Sequence, residues 1–202
     1  MIDWPRLRNW IRRLTQSGLH DEAAAQLVEF ALTLPLLVVF VVGIFDFSGA
    51  FTLKQKLTNV VRDAARAAAA DPASDLQSAS PVSVNDAFQV VDSYLLANNI
   101  SDCGITLGSS SGTLKWTSTA SSSGCALTVI INRGYYFPVT GATLPTVSCT
   151  PQNPGAQTAI IGTCVSIQYN YPWRFGRVAS LLGSAVALPT QISAAAVAMN
   201  EN

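Results

Sequence analysis

Glu29 stands at the edge of an apolar run, residues 30–45, that carries no charge. A carboxylate at the end of a bilayer span costs a few kcal/mol and is by default a functional residue. Near a helix start the backbone dipole offsets part of that cost. If a leader is removed just ahead of it, a new cationic α-amine appears close by. The carboxylate could then pair with that amine on its own or a neighbouring subunit. The plainer alternative is a carboxylate resting in the headgroup layer. A second set of reactive groups is Cys103, Cys125, Cys149 and Cys164, all after the apolar run. An even count in an exported segment favours disulfides over free thiols. No two have C-x-x-C spacing, which argues against a zinc or thioredoxin-like site. Cys103–Cys125 with Cys149–Cys164 is the favoured pairing, because each bond closes a short polar loop. One disulfide and two buried thiols is the alternative.

Other chemistry is missing. His20, the sole histidine, precedes the run. The exported part therefore holds no Ser–His–Asp or Cys–His arrangement and no histidine zinc site. Asp71, Asp75, Asp86, Asp92, Asp102 and Glu201 are scattered, mostly at helix ends or in loops. Nothing among them points to a glycosidase-like pair. There is no phosphate-loop or dinucleotide fingerprint. Twelve basic and 12 acidic residues leave no net charge, against a nucleic-acid partner, which wants a basic face. The expectation is a chain that is no enzyme, with no cofactor and no metal.

The elements that must position these groups start with the run itself. With residues 27–29 ahead and 47–53 behind, it reaches the roughly 20 mostly apolar residues that cross a bilayer. A core helix would show a polar face, and within 30–45 only Thr33 interrupts the apolar side chains. A cleaved secretory signal would be shorter, with a small-residue exit that Ser48-Gly49-Ala50 matches weakly. Arg6, Arg8, Arg12 and Arg13 precede the span. By the positive-inside rule the N-terminus stays in the cytoplasm and the remainder is exported. Lys54, Lys56, Arg62 and Arg66 on the far side work against this, partly offset by Asp46 and Asp63. Trp4 and Trp10 beside the arginines suit the lipid headgroup zone. The expected organisation is a basic cytoplasmic leader (1–24), a transmembrane helix (25–52), its amphipathic continuation (53–71) and an exported disulfide-stapled α+β domain (72–202).

Leu53, Leu57, Val60, Val61, Ala64, Ala67 and Ala68 recur at helical spacing and need cover. Arg62 and Arg66 read as a solvated face, with a partner-binding stripe as the minority reading. Asp71-Pro72 ends the helix. Pro35 sits inside the span and frees the carbonyl of Ala31, for which the Thr33 hydroxyl or a neighbouring helix is the expected partner. A second helix is expected from a cap at Ser83 or Asn85 to Asn98-Asn99, with Phe88, Val91, Tyr94 and Leu95 on one face. Strands are expected at 113–117, 126–133, 135–139, 159–169 and 188–199, with Gly134 turning the chain. Residues 178–182 read as a helical turn. Trp173, Arg174, Phe175 and Arg177 form an aromatic-basic knot, read as packing, with a contact surface as the alternative.

The combination of residues carries a resemblance. Ala23-Ala24-Ala25-Gln26-Leu27-Val28-Glu29-Phe30, then Leu34-Pro35, Asp46-Phe47 and Arg62-Asp63-Ala64-Ala65-Arg66, resembles the start of TadE-like proteins. These are pseudopilins, or minor pilins, of the tight-adherence (type IVc) pilus machinery. The likeness covers roughly residues 20 to 70. Val165 to Tyr171 with Pro172, and residues 194–202, resemble the family's closing strands. The resemblance implies a pilin-like α+β fold: a long N-terminal transmembrane helix running into an exported domain with a small antiparallel sheet. It implies cleavage by a prepilin peptidase between Ala24 and Ala25, which makes Glu29 the fifth mature residue. Ala24 stands where family members usually carry glycine. Glu29, Phe30, Pro35 and Asp46 become helix-packing residues. The implied partners are other pilins or pseudopilins, inner-membrane pilus assembly proteins, the peptidase and membrane lipid. The implied place is the inner (cytoplasmic) membrane, in a single pass, or a cell-surface pilus. The competing class is an exported binding domain on a permanent anchor, never built into a filament. An anchored hydrolase is disfavoured by the missing histidine.

Overall fold

The computed structural model describes residues 22–122, 124–174 and 188–201. The leader up to residue 21, Phe175 and Arg177 of the aromatic-basic knot, and the turn expected at 178–182 lie outside these. The chain divides into two compact units between Phe45 and Asp46.

Helix α1 is Glu22–Ala70, with Pro35 inside it. Leucine, alanine and other good helix formers dominate it, and Pro72 disfavours helical geometry at Asp71, which ends it. Of the two partners expected for the Ala31 carbonyl, the Thr33 hydroxyl is corrected: Thr33 Oγ1 donates instead to Phe30 O, three residues back, at 3.2 Å. In the first unit the large side chains of α1 are exposed, Leu32 and Phe45 at 73% and 75%. Of its most apolar 18-residue window only 6% is buried. That excludes a core helix, and length and composition make this stretch a candidate membrane anchor.

In the second unit the same helix becomes one-sided. Leu57, Val60, Val61, Ala64, Ala65, Ala68 and Ala69 are buried. Ala65 and Ala69 take places the spacing gave to Ala67, which is only half-buried. The alanines let the helix approach the sheet closely. A 3-10 turn, Ala73–Asp75, leads to helix α2, Val82–Ala97. The expected side-chain cap is corrected too. Pro81 precedes the first turn without a side-chain cap, and Ser83 is buried inside the helix. Proline suits a helix start because its missing N–H is not needed there. The C-terminus is a Schellman motif: Asn99 has φ 54°, Asn99 N–H reaches Leu96 O at 3.1 Å, and Ile100 N–H reaches Leu95 O at 2.9 Å. Val84, Ala87, Val91 and Leu95 face the core, while Phe88 and Tyr94 are half-buried at its rim.

The sheet has four antiparallel strands in chain order: β1 Lys115–Ser122, β2 Cys125–Pro138, β3 Ala159–Asn170 and β4 Gln191–Met199. The two strands expected around Gly134 are one. Gly134 makes no turn; the ladder slips between Asn132 and Tyr135, a bulge that keeps β2 running. Leu127, Val129, Ile131, Val165, Ile167, Ile192, Ala194 and Ala196 meet the helices. The opposite face packs Ile130, Tyr135, Cys149 and Cys164 beneath the loop that joins β2 to β3. Ser166 Oγ donates to Val147 O (2.6 Å) and Asn132 Nδ2 to Cys149 O (2.9 Å), tying that loop down. Cys103–Cys125 and Cys149–Cys164 are bonded, with Cα separations of 5.6 and 5.7 Å. The first fastens the segment after α2 to the start of β2, the second the loop to β3.

Candidate functional site

Among the residues singled out on α1, Glu29, Phe30 and Pro35 fall in the first unit and Asp46 in the second. Ala24 and Ala25 lie in the first described turn of α1. Glu29 and Phe30 are exposed, as are Leu27, Leu34, Leu36 and Leu37 around them. This surface offers shape and one carboxylate, and no reactive constellation.

Asp46 is different. It is 6% exposed and opens the second unit. The chain leaving β3 comes back to it. The Tyr171 hydroxyl donates to Asp46 O at 3.1 Å and lies 3.3 Å from Asp46 Oδ1. Burial pushes the Tyr171 pKa up, Asp46's charge and hydrogen bond add to the rise, and Arg174 pulls it down. Gly49 makes the approach possible: a Cβ there would stand 2.7 Å from the Tyr171 hydroxyl. Trp173 packs on the Tyr171 ring at 4.9 Å, edge-on, and on Phe47 at 5.3 Å. Its indole N–H donates to Pro189 O at 2.5 Å. Lys54 Nζ donates to Ser193 O on β4. The acid-aromatic pair Asp46-Phe47 and the described part of the aromatic knot thus form one collar, with Arg174 exposed on it.

Residues 24–66 match the model of a family described as TadE-like protein. Over that stretch the chain is similar to that family. No curated protein and no solved structure matches the chain. The TadE-like stretch covers the exposed apolar half of α1, the helical side of the collar, and most of the face that packs on the sheet.

One residue that matters was not singled out by pattern. Arg133 is 1% exposed inside the second unit. Its guanidinium donates to Ala68 O, to Asp71 O at 2.8 Å and to Thr163 Oγ1 at 2.8 Å. Thr163 in turn donates to Asn200 Oδ1 at 2.7 Å. The last turn of α1 holds no basic residue. Arg133 supplies from β2 the positive charge and donors that a helix C-terminus attracts. The β2 bulge aims it there. The signal was present: an arginine closing a buried run, followed by glycine. Among the described residues no cluster of His, Cys, Asp or Glu could hold a metal ion.

Proposed function

We propose that this chain is a membrane-anchored pseudopilin or minor pilin of a Tad-type (type IVc) pilus machinery. One observation carries the reading: the TadE-like stretch includes a helix half whose large apolar side chains the chain itself leaves uncovered. Lipid or neighbouring helices must cover such a surface. In this reading α1 holds the subunit in the inner (cytoplasmic) membrane, with the N-terminus cytoplasmic and the disulfide-bonded domain exported. It then packs beside other pilins during assembly. Prepilin peptidase cuts between Ala24 and Ala25, and Glu29 meets the new α-amine of a neighbour. Pro35 bends the packed helix. The role is structural, with no catalytic step and no cofactor.

A second reading, an exported binding domain on a permanent anchor, is favoured by Ala24 in the place of the family's usual glycine. Mass spectrometry of the membrane-extracted protein separates the two. A mature N-terminus at Ala25 supports the assembly subunit, and an intact Met1 leader favours the permanent anchor or an uncleaved assembly partner. Within the first reading, Glu29→Ala is expected to abolish incorporation into the pilus complex. Unchanged incorporation would count against the role given to Glu29.

A further inference from the structure

The two edges of the sheet are finished differently. At β1 the chain covers its own edge: Thr117 N–H donates to Ser109 O at 3.4 Å, and Ser111 N–H to Lys115 O at 2.8 Å. Gly108 permits this closeness, since a Cβ there would stand 1.8 Å from Thr117 O. At β4 the phase of the ladder is set by its ends. Tyr171 N–H donates to Thr190 O at 3.1 Å, and Asn200 N–H to Ile161 O at 3.3 Å. The register between runs without a shift. Bonded and unbonded pairs alternate in such a ladder. The backbone groups of Ser193, Ala195, Val197 and Met199 therefore point away from β3. Lys54 Nζ occupies Ser193 O, as this phase requires. Among the described residues nothing bonds the outward groups of Ala195, Val197 or Met199. No charge, proline or bulge interrupts this row, the usual protections of a free edge.

Beside the row lies a groove of about 570 Å³. Arg62 and Arg66 of α1 line it on the helix side of the sheet, and both are exposed. Phe137, Leu144, Pro145 and Val197 line it too, and Phe137 and Val197 pack with the cluster on the other face. Leu144 is 90% exposed. Successive side chains of a strand point to opposite faces. A strand laid along β4 thus presents one set of side chains to two guanidinium groups and the alternate set to an apolar wall. We propose that β4 is a docking edge for an extended segment of a partner protein in which acidic residues alternate with apolar ones. Its backbone pairs with residues 195–199 and its carboxylates meet Arg62 and Arg66. A second copy of this chain would offer β4, which carries no acid, and would leave both arginines without an anion.

This deepens the assembly reading and rests on it for the existence of a protein partner. The probe is a short fluorescein-labelled peptide alternating Glu and Val, with a Lys–Val peptide as its counterpart. Both are titrated against the full chain in detergent micelles by fluorescence anisotropy. The Glu–Val peptide is expected to bind roughly tenfold or more tightly than the Lys–Val peptide. Ala195→Pro, which removes an outward N–H and leaves the β3 ladder its bonds, is expected to abolish binding. The Arg62→Glu/Arg66→Glu double variant is expected to reverse the preference, and it carries the test alone if the proline variant fails to fold by circular dichroism. Equal binding of the two peptides, no binding, or binding indifferent to both variants overturns the proposal. So does a micelle-borne dimer that Ala195→Pro converts to monomer, because the edge would then belong to a second copy. None of these outcomes alters the N-terminal mass result, so the two readings fail separately.

Discussion

Leu36 and Leu57 occupy one helix and share one side-chain chemistry, yet Leu36 is 58% exposed and Leu57 is fully buried. The difference lies in what surrounds each along the sequence. Residues 30–45 are apolar on every side of the helix, so no single protein face can cover them. From Leu57 onward the apolar residues gather on one side, while Arg62, Asp63 and Arg66 stay exposed outside it. All-round apolarity calls for a solvent that is itself apolar or for several neighbouring helices, and one-sided apolarity calls for a sheet. One continuous helix can therefore serve lipid and a folded domain by changing only its pattern.

The sharpest way to break this comparison is the same truncation in both halves. Leu57→Ala should cost about 2–5 kcal/mol in denaturant unfolding of the domain, from lost burial and a cavity. Leu36→Ala should stay within about 0.5 kcal/mol in the same measurement, as surface changes do. Trp116, which is 2% exposed, makes tryptophan fluorescence a suitable probe. Next in size is the clamp that ends the buried half. Arg133→Met leaves the carbonyls of Ala68 and Asp71 without this donor and should cost about 2–3 kcal/mol. Hydrogen exchange should then rise first in the last turns of α1.

The collar gives a smaller effect with a pH signature. Tyr171→Phe should cost about 1–2 kcal/mol by removing the bond to Asp46. The Tyr171 pKa is raised in the fold, so the folded state holds its proton longer than the unfolded chain. Its contribution is full below the ordinary tyrosine range and falls as pH rises through that range toward the raised pKa. The Tyr171→Phe variant should lack that alkaline loss. The smallest effect has the opposite sign. The Asp92 carboxyl is pushed up by burial and then by Asp102, and its Oδ1 is buried without a hydrogen-bond partner. Asp92→Asn should stabilise the domain by about 0.5 kcal/mol at neutral pH. The gain should shrink as pH falls to the ordinary carboxylate range, where the wild-type group also becomes neutral.

Periodicity made the apolar span, the one-sided continuation and the strands legible, because each buries a face that composition alone can mark. The short loop closures favoured Cys103–Cys125 and Cys149–Cys164, the bonds present in the structure. What failed to show was turn and cap detail and a few long-range polar contacts. Gly134 looked like a turn because a glycine after a buried run suits either a turn or a bulge, and the partner strand decides between them. Pro81 rather than Ser83 opens α2, where its fixed φ and missing N–H suit a helix start. Arg133 is harder to read, because an arginine closing a buried run does not say which distant groups it meets: two are backbone carbonyls more than 60 residues away and one is the Thr163 hydroxyl. The Tyr171–Asp46 contact spans a wider gap still, 125 residues.

The central claim is that α1 meets two solvents. Among the described residues no cysteine is free, so a single introduced cysteine can carry a spin label in the full chain reconstituted in lipid bilayers. The account predicts that a label at Leu36→Cys collides with oxygen and is shielded from a water-soluble nickel chelate, and that a label at Arg62→Cys shows the reverse. Ready access of the nickel chelate to position 36 would contradict it.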